Sequence, residues 1–105
     1  MINEPLYRLT PDARSDLIEI RKYTLTQWGK EPSGKYVSGI RQTIKILSET
    51  PRIGKQQQDT GDNVFNFAYA SHVIYYTLHN KQLVVFAILH KRMVPLSHLH
   101  DRGII

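Results

Sequence analysis

His72, Tyr75, His90, Lys91 and Arg92 are the side chains of this sequence best suited to chemistry on a phosphodiester. Such cleavage needs one group to take the 2′-OH proton, another to protonate the leaving oxygen, and cations on the developing charge. Their placement argues mostly for structural work. His72 opens an apolar run, His90 closes one, and Tyr75 and Tyr76 alternate onto opposite faces, as core and rim residues do. His98 and His100 form the closest histidine pair, with His90 further back and Asp101 the sole nearby carboxylate. A spacing of two puts both rings on one side only in an extended chain, so a solvated tail explains them better than a metal. There is no glycine-rich phosphate loop, nucleophile elbow or paired-carboxylate site, and no cofactor is implied. Lys91-Arg92-Met93 is different, because it follows an apolar run directly and rigid structure would hold its cations at a fixed place. The continuation through Val94, Pro95, Leu96 and Leu99, with His98, His100 and Arg102 interspersed, is apolar and basic, which suits a binding tail better than a merely solvated one.

Composition narrows the class. The chain has 105 residues, 41% hydrophobic and 22% charged, enough for one modest core. No apolar run approaches the roughly 18–20 residues of a membrane span, and the first 20 residues lack a basic region followed by an apolar block. With no cysteine there are no disulfides, thiolate metal sites or thiol nucleophiles, and a reducing cytoplasm is the expected address. The net charge of +5 favours nucleic acid, an acidic protein surface or anionic lipid as a neighbour. Its distribution is uneven: no Asp or Glu occurs from Asn63 through His100, a stretch that holds all five histidines. Strands disfavour acidic residues, and an electropositive surface would show the same gap.

The elements that must position these side chains can be read in order. Pro5 to Leu9 is short and β-like. Thr10 is a good N-cap, Pro11 suits the first helical position, and Ala13, Leu17, Ile20, Thr24 and Trp28 draw one stripe down a helix that Gly29 ends in a left-handed conformation. After a short link, Gly29-Lys30-Glu31, a second helix runs from Pro32 or Ser33 to about Glu49, with Tyr36, Val37, Ile40, Ile44 and Leu47 as its stripe and Pro51 as its stop. So short a link makes the pair an antiparallel hairpin. Residues 52–63 read as a polar loop. Val64–Tyr69, His72–Leu78 and Gln82–His90 read as strands, with a turn at His79-Asn80-Lys81. The expected fold is α+β, β-α-α-β-β-β, a helical hairpin packed on a small antiparallel sheet, in one domain whose residues 91–105 form a tail.

Two helices cover one face of such a sheet. On the last strand, strict alternation separates Leu83, Val85, Ala87 and Leu89 from Val84, Phe86 and Ile88, so both faces are apolar. The second face therefore requires the tail, another chain, or both, and area alone suggests a protein partner.

The motifs together resemble a known family. Tyr7-Arg8-Leu9-Thr10-Pro11-Asp12-Ala13, Asp16-Leu17-Ile18-Glu19-Ile20 and Gln27-Trp28-Gly29 resemble the first strand and helix of the ParE toxins of bacterial toxin–antitoxin modules. Leu47, Pro51 and Gly54 are similar to their LxxxPxxG stretch, and His72-Val73-Ile74-Tyr75-Tyr76 and Ile88-Leu89-His90-Lys91-Arg92-Met93 are similar to their closing segments. The resemblance covers almost the whole chain in order and spacing. It implies the fold of the ParE/RelE superfamily and a cognate, ParD-like antitoxin that hides apolar surface, with operator DNA reached only through that complex and no membrane involved. ParE members typically inhibit DNA gyrase and stall it on cleaved DNA, whereas the related RelE branch cleaves messenger RNA in the ribosome. The ribonucleases place an arginine where this chain has Val73 and carry a further acid/base group after the last strand, so the resemblance favours a non-enzymatic poison of a topoisomerase. Ribosome-dependent mRNA cleavage and an inactive, antitoxin-binding co-repressor are the alternatives. Target contact is expected from His90, Lys91, Arg92, Met93, Leu96, His98, Leu99 and Arg102, and antitoxin contact from Ile18, Lys22, Leu25, Val73 and Tyr75.

Overall fold

Thr10 begins the first helix as its residue type demands, its hydroxyl accepting from the Ala13 N–H at 3.2 Å while Pro11 takes the first helical position. The computed structural model describes residues 6–56 and 63–93 together with Leu99 and Arg102. Strand β1 (Tyr7–Leu9) leads into α1 (Pro11–Trp28) and α2 (Lys30–Glu49). The link between the helices is a single residue, not the three expected. Gly29 serves both, its N–H donating to Leu25 C=O at 3.0 Å and its C=O accepting from Ser33 N–H at 3.2 Å. It does so at φ +91° and ψ 175°, a positive φ but an extended ψ, so the left-handed helical cap expected there is corrected. Lys30 and Glu31 belong to the first turn of α2, and Pro32 sits in that turn, where its missing N–H costs nothing. A buried hydroxyl pair, Thr24 with Ser33 at 2.7 Å, joins the helices near this corner.

Ala13, Leu17, Ile20 and Thr24 are buried as their spacing predicts, and so are Ile40, Ile44 and Leu47 on α2. Trp28 departs from its stripe: it is 49% exposed and meets Tyr36 edge-on at 5.3 Å. The segment expected as a loop contains a 3-10 turn (Pro51–Ile53) and the two-residue strand β2 (Lys55–Gln56). Here the spacing of Pro51 and Gly54 has a physical cause. The hydroxyl of Tyr76, fully buried, donates to Pro51 C=O at 2.5 Å and accepts from the Gly54 N–H. A Cβ on Gly54 would lie 1.9 Å from that oxygen.

Strands β3 (Val64–Tyr69), β4 (His72–His79) and β5 (Gln82–His90) complete a five-stranded sheet of order β1-β5-β4-β3-β2. The sheet is mixed and not antiparallel throughout, because β1 runs parallel to β5, pairing Tyr7 with Leu83 and Leu9 with Val85. Three residues carry no pattern that encodes direction, which is why the sequence did not reveal it. Asn80 (φ 51°) and Lys81 (φ 65°) make the β4–β5 turn, and His79 belongs to the strand.

The alternation expected along β5 breaks in the middle. Tyr75 pairs with Ala87 and Tyr76 with Val85, so Phe86 is an extra residue, a β-bulge. Leu83, Val85 and Ile88 consequently face the helix-side core with Ile74 and Tyr76, while Phe86, Ala87 and Leu89 join Val64, Tyr75 and Leu99 in a second cluster. That cluster is buried within the chain: Phe86 is 4% exposed, Leu89 3%, Tyr75 5% and Leu99 5%. Of the coverings expected for the second face, the tail, another chain or both, the tail supplies one, since Leu99 packs into this cluster.

Candidate functional site

The end of the sheet where β4 begins and β5 finishes gathers the aromatic and basic residues. His72 and His90 are cross-strand partners with ring centroids 5.3 Å apart, set edge to face. Tyr36 reaches this corner from α2, its hydroxyl 2.7 Å from His72 Nδ1, and it accepts from the Ser71 N–H at 3.2 Å. The Tyr36 hydroxyl thus ties His72 on β4 to the Ser71 backbone at the start of the strand. Burial holds the Tyr36 hydroxyl above its usual pKa. His90 Nδ1 accepts from the Arg92 N–H at 3.1 Å.

Beyond β5 the chain turns tightly. Lys91 N–H donates to Ser71 C=O at 2.9 Å and Met93 N–H to His90 C=O at 2.9 Å. The backbone of Lys91, Arg92 and Met93 is thus fixed, while their side chains are exposed. A rigid backbone with free cationic heads is what binding an anionic or acidic surface requires. Val73, where the ribonuclease resemblance places an arginine, packs partly buried against the second cluster. Among the described residues no group of three His, Asp or Glu could hold a metal.

Burial lowers the pKa of His72 below its usual value, and the neighbouring His90 lowers it further, against a smaller opposing effect of Asp16. A folded-state pKa below the unfolded one means the unfolded chain binds the proton more readily, so stability rises with pH across the interval between the two. The contribution is complete above about 6.5, the unperturbed histidine value, and is lost as pH falls through the folded pKa. Thermal unfolding followed between pH 8 and pH 5 should show a falling melting temperature below that point, with a shallower slope in His72→Gln.

The remaining expected contacts divide. Leu96 and His98 lie outside the described residues. Leu99 is buried in the second cluster, and Arg102 forms a forked ion pair with Asp16, Nη1 to Oδ2 at 2.5 Å and Nη2 to Oδ1 at 3.0 Å, so both are engaged inside the chain and not presented for target contact. On α1, Ile18 (54% exposed) and Leu25 (46%) face solvent, and Lys22 is exposed in a loose pair with Glu19 at 3.7 Å, a contact worth little. Tyr75 is closed off by the second cluster and Val73 partly so.

Sequence reasoning missed two features. One is the Asp16–Arg102 pair. The other is a groove of about 670 Å³ between β1 and the helical hairpin, with Leu9, Leu17, Ile18 and Val37 as apolar lining and Arg8, Arg14, Arg21 and Arg41 around it. Its signal was present, since Arg14, Ile18 and Arg21 recur at helical spacing on one face of α1.

Comparison with known proteins accords with this geometry. The chain is 29% identical over 93 residues to Toxin ParE1 of Caulobacter vibrioides, covering 89% of this chain and 96% of that protein. A solved chromosomal ParDE toxin–antitoxin system from P. aeruginosa shares the fold, with a TM-score of 0.70 at 19% identity over 80% of this chain and 92% of the matched one. The model of the ParE toxin of the type II toxin–antitoxin system parDE matches residues 7–95, and the chain belongs to that family of toxins.

Proposed function

We propose that this toxin arrests growth by binding DNA gyrase and holding it on cleaved DNA, without catalysing a reaction of its own. The observation that carries the reading is the turn after β5, where two backbone–backbone hydrogen bonds and one from the Arg92 N–H to the His90 ring fix Lys91, Arg92 and Met93 in an exposed position. By sequence, Leu96 and His98 continue the same contact. Leu99 and Arg102 support it from inside the fold.

Neutralisation falls to a cognate antitoxin encoded nearby. Charge complementarity favours an acidic, amphipathic segment of that partner along the arginine-rimmed groove, with Ile18, Lys22 and Leu25 at its margin. Operator DNA is then reached through the antitoxin. Among the described residues no helix is long and apolar enough to cross a membrane, and cytoplasmic action fits the reading.

Induced expression in a bacterial host carrying a DNA-damage reporter tests the proposal. Growth arrest should coincide with reporter induction while transcripts remain intact, and co-expression of the neighbouring small acidic protein should restore growth. Ribosome-dependent transcript cleavage without reporter induction favours mRNA interference instead. Undisturbed growth with abundant toxin favours an inactive co-repressor.

A further inference from the structure

We propose that Asp16 and Arg102 are positioning residues that pin the β-bulge at Phe86 and so aim the basic turn at Lys91 and Arg92. The consequence for target contact rests on the reading above, while the pinning itself stands on geometry.

β1 pairs with β5 only from Leu83 to Val85, and the Thr10 N–H closes that ladder on Val85 C=O at 2.9 Å. Immediately beyond, two side chains take the place of the missing strand. Asp16 Oδ2 accepts from the Ile88 N–H at 2.9 Å, and Arg102 Nη1 donates to Phe86 C=O at 3.1 Å. The two are themselves joined by the forked pair, with their side chains 14% and 18% exposed. The bracketed peptide groups are those on either side of Ala87, next to the extra residue Phe86.

A bulge reverses which face every later residue occupies. With it, Ile88 enters the helix-side core and His90, two residues on, falls on the same side, beside His72 and Tyr36. Without it, Ile88 would turn to the second face and the strand end would present His90 and the following turn on the wrong side. The carboxylate suits an N–H and the guanidinium a C=O, so only this polarity of the pair satisfies both groups and leaves no buried charge unmatched.

Backbone amide exchange, followed by NMR on the full chain, reads the pinning residue by residue. In Asp16→Asn and Arg102→Lys the Ile88 amide should exchange about tenfold faster or more, while Leu83, bonded to Leu6 C=O at the same edge, changes less than about twofold. The same variants should inhibit gyrase about tenfold less well and bind the antitoxin with unchanged affinity. Arg102→Lys keeps the charge and serves if Asp16→Asn fails to fold. An unchanged Ile88 rate, equal acceleration of Ile88 and Leu83, or selective loosening of Ile88 with full gyrase inhibition each overturns the positioning role. If the wild-type toxin leaves gyrase untouched, the target reading fails by itself and the exchange pattern alone decides the pinning.

Discussion

Replacing Lys91 and Arg92 together by alanine should abolish growth arrest on induction and weaken gyrase inhibition by about tenfold or more, since two charges that steer and hold an acidic or nucleic-acid surface are removed at once. The fold should scarcely notice. The turn is held by backbone groups, Lys91 N–H on Ser71 C=O and Met93 N–H on His90 C=O, and by the Arg92 N–H on His90 Nδ1, none of which involves the deleted side chains. Both side chains are exposed, and exposed substitutions of this kind stay within about 0.5 kcal/mol, which for a chain of this size moves the melting temperature by about 3 °C. Growth assays paired with circular-dichroism melts check the two halves together. Arrest that persists in the folded double variant places the target contact elsewhere.

Tyr76 is the position where substitution should cost most stability. Its ring is fully buried in the helix-side core, stacks on Phe65 at a centroid distance of 5.5 Å, and its hydroxyl ties Pro51 C=O to the Gly54 N–H. Tyr76→Ala removes an aromatic side chain from a closed site, a loss of about 3–5 kcal/mol, which is a large part of the roughly 5–15 kcal/mol that holds a domain folded. The melting temperature should fall on the order of 15 °C or more. Tyr76→Phe keeps the ring and leaves the Pro51 carbonyl and Gly54 amide without their partner, costing about 1–3 kcal/mol. Gly54→Ala should fall between these, because its methyl carbon meets the Tyr76 oxygen at 1.9 Å and the core leaves that ring little freedom to move. Melts of the three variants check the order; a Gly54→Ala protein as stable as the wild type contradicts the account of this corner.

The elements with strong local chemistry were readable from the sequence. Thr10-Pro11 marks a helix start, the helix stripes are buried as spaced apart from Trp28 at the end of α1, and Asn80 announces its turn. What escaped depends on contacts far apart in the chain. The direction of β1 is decided by Leu83, Val84 and Val85, more than seventy residues away, and three residues hold no signal for it. The bulge at Phe86 hides inside a run apolar at every position, where neither phase of the alternation conflicts with residue type. Asp16 lies beside the α1 stripe and reads as an ordinary polar flank until Arg102 and the Ile88 amide are brought to it. For the site, Lys91 and Arg92 stood out because they end a strand, whereas Leu99 and Arg102 share their composition but turn inward to cover the sheet. Composition marks a basic tail; packing decides which of its residues are left for a partner.

Purified toxin titrated into DNA gyrase with plasmid DNA and ATP, with strand breaks counted after protein denaturation, is the most direct measurement. The account predicts linearised plasmid accumulating with toxin concentration, little or none with the Lys91→Ala/Arg92→Ala variant, and suppression by the cognate antitoxin. Unimpaired supercoiling with no broken DNA at high molar excess of folded toxin contradicts it.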